Sequence, residues 1–166
     1  MGHEEHRKEA PRTLKVFVVT ASDSRGEAED TSGAFLRQAA AAAGHEVVGY
    51  RLVKDEPVQL REALQAAAAA GADAVLVNGG TGIAARDRTY EAVAGVLEKR
   101  LDGFGELFRS LSYAEIGSAA MLTRATAGVA RGTAVFMLPG SEHAVRLGMA
   151  KLIVPELGHV VRELRR

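Results

Sequence analysis

Three glycines in four positions, Gly79-Gly80-Thr81-Gly82, follow directly on the apolar run Ala74-Val75-Leu76-Val77-Asn78. A short apolar run closed by turn residues reads as a buried strand. Glycine lets a ligand approach the backbone with no Cβ in the way. Behind the loop, Thr89 stands as an N-cap, and Ala92, Val93, Val96 and Leu97 recur at helical spacing. Strand, glycine loop and helix start together outline an anion or phosphate site. Asp55 and Asp87 are the candidate functional acids. A carboxylate beside a phosphate cradle is repulsive unless a cation intervenes, and Mg²⁺ is commonly held by one or two carboxylates plus substrate phosphates. Plainer readings stand beside these. The loop could be only a tight turn, Asp55 the cap of a helix opened by Pro57, and Asp87 a surface partner of Arg86 or Arg88. Asp23 and Asp30 read as turn aspartates that serve the backbone.

Known phosphate cradles narrow the choice. A Walker loop ends in Gly-Lys-Ser/Thr, and no lysine follows here. Gly80-Thr81-Gly82-Ile83-Ala84-Ala85 fits the looser dinucleotide pattern, with alanine in the third glycine place. That fingerprint needs an acid at the end of the next strand. The acid at about that distance, Asp102, falls in a segment that reads as helix, so a dinucleotide site is the weaker alternative. His45, His143 and His159 show no ligand spacing to one another.

The elements that must position the loop alternate. Residues 14–20 form a near-continuous apolar run, as expected of a strand covered on both faces. A polar loop from Ser22 leads to a helix over 34–43 that Gly44 stops. Residues 46–54 read as a second strand, and Pro57 opens a helix that Gly71 ends. Strand and helix thus alternate three times before Arg100, which predicts a three-layer α/β/α sandwich around a mostly parallel central sheet. In such sheets ligands lie outside the carboxyl ends of the strands, where the loops beginning at Ser22, Asp55 and Asn78 fall. Phe104, Leu107, Phe108, Leu111 and Ile116 predict an amphipathic helix. Residues 117–124 are loop or short helix, and 127–130 and 133–138 read as strands joined at Arg131-Gly132. Ser141 caps a last helix, which Pro155 is expected to divide in two.

Composition bounds the class. With 21 basic and 21 acidic side chains the net charge is zero, which disfavours a nucleic-acid binder. The absence of cysteine removes disulfides and thiolate metal sites. No apolar run approaches a membrane span, so a cytoplasmic protein without a membrane partner is the simplest expectation. Residues 1–10 read as a flexible tail, in which His3 and His6 are solvated, and residues 11–166 as a single domain.

The motifs also match a family. Gly-Gly-Thr-Gly followed by Arg-Asp-x-Thr-x-Glu, here residues 79–91, resembles the signature of the molybdopterin adenylyltransferases, the MogA and MoaB proteins. Thr20-Ala-Ser-Asp23 with Asp30-Thr-Ser-Gly33 resembles their first motif, and Leu138-Pro-Gly-Ser141 their closing loop. Ser112-Tyr-Ala-Glu-Ile-Gly-Ser-Ala-Ala-Met-Leu-Thr123-Arg-Ala resembles the MoaB branch in particular. The resemblance implies the MogA/MoaB-like fold and transfer of an adenylyl group from ATP, with Mg²⁺, to molybdopterin. A pterin-binding or assembly protein of the same fold without turnover is the alternative it carries. By matching position it implies Asp55, Asp87 and Thr123 as catalytic, with Asp55 and Asp87 as Mg²⁺ ligands. Ser22, Asp23, Ser32, Gly33, Gly79, Gly80, Thr81, Gly82, Glu91, Pro139, Gly140 and Ser141 are implied as nucleotide- and pterin-binding. It also implies a homo-oligomer, trimer or hexamer, and contacts with other molybdenum-cofactor enzymes. The apolar 104–116 helix and the loop after it are candidate interface elements, and a buried core helix explains the same periodicity.

Overall fold

The computed structural model describes residues 13–166, and the predicted 1–10 tail with His3 and His6 lies outside them. Six strands form one sheet: β1 (Lys15–Ala21), β2 (Glu46–Val53), β3 (Ala74–Asn78), β4 (Lys99–Arg100), β5 (Thr126–Ala130) and β6 (Thr133–Leu138). Their order is β2-β1-β3-β6-β5-β4. The pairs β1/β2, β1/β3 and β3/β6 are parallel, and β5 runs antiparallel to both of its neighbours.

Side chains alternate across the sheet, as the pleat requires. Val16 and Val18 of β1 enter one core, and Phe17, Val19 and Ala21 enter the other. Leu76 and Phe136 continue the first, Val77 and Met137 the second. Both faces are therefore apolar and both must be covered. Helices α1 (Thr31–Ala42), α4 (Asp102–Ile116), α5 (Glu142–Gly148) and α6 (Val154–Leu164) close the first face through Leu36, Phe108, Val145 and Leu157. Helices α2 (Pro57–Ala69) and α3 (Thr89–Val96) close the second through Leu60, Ala63, Ala67 and Val93. This is the expected three-layer sandwich. No helix among the described residues is long and apolar enough to cross a membrane.

Several boundaries differ from the sequence expectation for local reasons. Helix α1 starts at Thr31, three residues early, because the side chain of buried Asp30 accepts the Gly33 N–H at 2.9 Å and caps it. Thr89 is not a cap; it is the first helical residue, and its hydroxyl reaches Asp55 instead. Helix α3 ends at Val96, and Lys99–Arg100 pairs with β5 as an edge strand. Residues 117–122 form a 3-10 stretch. Pro155 does not break the last helix into separate pieces. A π turn, Met149–Ile153, joins α5 directly to α6, and Pro155 sits in the first turn of α6, where its missing N–H is tolerated.

Candidate functional site

The carboxyl ends of β1, β2, β3 and β6 meet around the glycine loop. Gly79 and Gly80 have φ of +95° and +64°, a region that costs a residue with a Cβ. Their small size matters as much as their freedom. A Cβ on Gly79 would overlap the Ala21 carbonyl at the end of β1. One on Gly80 would overlap Thr89 and lie 2.7 Å from Asp55 Oδ2, and one on Gly82 would lie 2.6 Å from Asp87 Oδ2. Gly140 leaves room in turn for Gly79, whose Cα would stand 3.2 Å from a Cβ there. The glycines thus bring four separate segments against one another, which a simple turn does not need. At the foot of the loop, Asn78 Nδ2 donates to Thr20 Oγ1 at 2.8 Å, while its buried Oδ1 has no hydrogen-bond partner among the described residues.

The two predicted acids both face the loop. Asp55 is 6% exposed. Its Oδ1 accepts the Thr89 hydroxyl at 2.7 Å and the Arg88 N–H at 3.0 Å. It therefore caps α3, across the fold, and not the α2 start beside it in sequence, where Glu56 is the N-cap and makes no side-chain bond. A carboxylate at that helix N-terminus is favoured by the local dipole. Asp23 Oδ1 holds the Asp55 N–H at 3.0 Å, so the β1 loop steadies the acid. Asp87 folds back onto its own segment, Oδ2 accepting the Ala84 N–H at 3.1 Å, and makes no ion pair with Arg86 or Arg88. Among the described residues no three His, Asp or Glu side chains gather as a metal cage. Asp55 lies beside Gly80 and Asp87 beside Gly82, and carboxylates beside phosphates suit a hard cation that takes its other ligands from phosphates and water.

The remaining sequence candidates divide into those that touch the loop network and those that shape its surroundings. Ser32, fully buried, donates its hydroxyl to the Gly140 carbonyl at 2.8 Å, and Arg25 donates to the same oxygen at 3.1 Å. Gly33 is held by the Asp30 cap, which also accepts the Tyr50 hydroxyl. Burial, then that hydrogen bond, push the Tyr50 phenol above its ordinary range. Ser22 shapes the Arg25 turn, its Oγ accepting the Arg25 N–H at 3.1 Å. Ser141 caps α5 through the Ala144 N–H at 3.2 Å, and Pro139 precedes it half-buried. Thr123 is half-buried at the end of the 3-10 stretch, its N–H donating to the Ala120 carbonyl at 3.1 Å. Thr81 is buried within the loop.

Arg124, the residue after Thr123, is the functional candidate that sequence reasoning passed over. Its Nε donates to the Thr81 carbonyl at 2.9 Å, and its Nη2 donates to the Gly82 carbonyl. Its Nη1 pairs with Glu91, and its guanidinium lies 4.8 Å from the Tyr90 ring centre. One planar fork thus clamps the loop to α3. The Arg124 guanidinium holds the Glu91 carboxyl below its usual range. These partners lie 33 to 43 residues away in sequence, so no local periodicity could have flagged the arginine.

Comparisons with known proteins identify the family. A family profile described as "Probable molybdopterin binding domain" matches residues 15–159. The chain belongs to this family. A relative from Halalkalibacterium halodurans, "Molybdenum cofactor biosynthesis protein B", is 54% identical over 99% of this chain and 98% of its own length. "Molybdopterin adenylyltransferase" of Pyrococcus furiosus is 44% identical over 99% of each chain. A solved structure named "Crystal structure of Molybdenum cofactor biosynthesis protein B" superposes with a TM-score of 0.90 at 49% identity, covering 95% of this chain and 99% of that one. The family's matched span contains every site residue named above, from Ser22 to Ser141.

Proposed function

We propose that this protein acts in molybdenum-cofactor biosynthesis as a molybdopterin adenylyltransferase. The observation that carries the reading is that Asp55 and Asp87 each lie against the glycine loop, which Arg124 clamps. In the reaction an oxygen of the pterin's terminal phosphate bonds to the α-phosphorus of ATP. The bond from that phosphorus to the bridging oxygen breaks, and pyrophosphate leaves. Such transfer demands in-line positioning and relief of charge more than covalent help from the protein. Glycine at 79, 80 and 82 lets this backbone pack against Ala21, Thr89 and Asp87, and the exposed side of the loop would meet the phosphates. Arg124 fixes where that backbone stands, and Ser32 and Arg25 hold the Gly140 loop against it. Mg²⁺, held by Asp55 and Asp87, would supply charge neutralisation to the phosphates. Thr123 offers its hydroxyl from the segment that carries Arg124. The family relative named adenylyltransferase supports this reading.

Copies of the chain are further proposed to associate as a trimer or hexamer in the cytoplasm. The support is the set of large apolar side chains left exposed on α4 and the 3-10 stretch, Leu107, Tyr113, Ile116, Met121 and Leu122. Purified protein incubated with ATP, Mg²⁺ and molybdopterin should release pyrophosphate, and Asp87→Asn should lower that rate by at least about tenfold. Tight pterin binding with no pyrophosphate would favour the non-catalytic assembly role instead. Sedimentation would fix the number of copies.

A further inference from the structure

The amino end of the parallel strands, opposite the glycine loop, carries a cavity of about 280 Å³. Val75 and Val135 of the sheet floor it, and Leu64 of α2 and Val96 of α3 wall it. Val75 precedes Gly79 by four residues, roughly 13 Å along an extended strand, so the cavity is separate from the proposed catalytic site. Its rim carries Arg61 of α2 and Arg131 of the β5–β6 hairpin, and neither guanidinium has an ion-pair partner among the described residues. The acid at the same rim, Glu98, is engaged: its Oε1 accepts the Arg131 N–H at 3.0 Å.

The hairpin supplies a second observation. Arg131 and Gly132 form its two-residue turn with φ of 49° and 76°, and Arg131 is the one non-glycine residue at positive φ among the described residues. Asparagine, aspartate or glycine fill the first place of such a turn with less strain. Strained positions that persist point to a use for the residue held there. Here the turn, with the Glu98 bond to its N–H, sets the Arg131 backbone at the cavity mouth.

We propose that this cavity is a second ligand site, for a small amphipathic carboxylate. Its apolar body rests on Leu64, Val75, Val96 and Val135, and its carboxylate meets Arg61 and Arg131. An apolar lining with a few convergent polar groups is the usual make-up of a small-molecule site. Two unpaired guanidinium groups against one engaged acid select an anion, and the planar fork of arginine suits a carboxylate. The volume accommodates a fused ring pair or a medium chain.

The test uses 2-naphthoate as probe, with 2-naphthylmethanol as its uncharged counterpart, in equilibrium dialysis against the full chain. Naphthoate is expected to bind saturably at one per chain. The alcohol, and naphthoate on the Arg61→Gln/Arg131→Gln variant, should bind at least about tenfold more weakly. Ala68→Trp fills the mouth from an exposed position on α2 and should abolish binding while melting like the wild type. Absence of saturable binding, equal binding of acid and alcohol, or binding that survives Ala68→Trp overturns the proposal. So does a change of sedimentation on Ala68→Trp without naphthoate binding to the wild type, which would make the cavity a contact between copies. None of these readouts depends on turnover.

Discussion

Arg124→Ala is the perturbation that most directly questions the clamped loop. The substitution removes a donor from the Thr81 and Gly82 carbonyls, the pair with Glu91, and the stacking over Tyr90. A hydrogen bond from a charged group contributes about 1.5–3 kcal/mol net. The Glu91 side chain is 58% exposed, so that pair adds under about 1 kcal/mol. These terms share one guanidinium, and water reaches the half-buried Gly82 once it is gone, so they do not sum. The expected loss is about 2–3 kcal/mol, or a fall in Tm of roughly 4–12 °C for a chain of this length, measured at fixed protein concentration. Arg124→Lys keeps the charge but cannot present a planar fork to carbonyl and carboxylate together, so it should recover less than half of the loss. Affinity for ATP, read by titration calorimetry, should fall in parallel by about tenfold in the alanine variant. A Tm within about 1 °C of the wild type with unchanged ATP affinity would refute the clamp. Full rescue by Arg124→Lys would show that charge alone matters and not geometry.

Other substitutions read other parts of the fold. Gly80→Ala forces a Cβ onto Thr89 and Asp55 at positive φ, and should cost more than about 2 kcal/mol in urea unfolding as well as ATP binding. Phe108→Ala, at 1% exposure between α4 and the sheet, should cost about 3–5 kcal/mol by the same assay. His45 gives a pH signature. Burial pushes its imidazole below the ordinary 6.5, and Nδ1 accepts the Leu14 N–H at 3.2 Å, so the folded chain holds it neutral. The unfolded chain takes up that proton first, and the contribution is present above pH 6.5 and lost as pH falls below it. Stability measured from pH 7.5 to 5 should therefore decline, and His45→Gln, which keeps an acceptor, should flatten that part of the curve.

The layers were legible because both sides of each central strand are apolar. The run from Val16 to Val19 has no polar face, and a sheet that must be covered twice follows from that. The glycine loop was legible because three glycines in four positions exceed what a turn requires. Roles set by tertiary contact were not. Asp55 reads locally as a cap for the helix beginning at Pro57, yet its oxygen serves Thr89, 34 residues on. Nothing in the neighbourhood of Asp55 encodes that, because the partner arrives only when β2 and β3 flank β1. Arg124 was passed over for the same reason. The edge strand Lys99–Arg100 leaves no signal in the sequence, because two residues are too few to show a strand's alternation.

The π turn has a consequence for how the C-terminal segment tolerates change in length. Val145, Met149, Ile153, Leu157 and Val161 are all buried and stand at a strict spacing of four. On an ideal helix such a row drifts by about 40° at each step, so it would spiral away from the sheet before reaching Val161. The wider turn at Met149–Ile153 winds the other way relative to the row and brings Leu157 and Val161 back onto the core. It works as a phase correction. Because the wide turn absorbs about one extra residue, deleting a single residue from 149–153 would let ordinary winding resume with Leu157 and Val161 still near the core. A deletion in the regular winding just downstream would instead swing both side chains by about 100°, toward water.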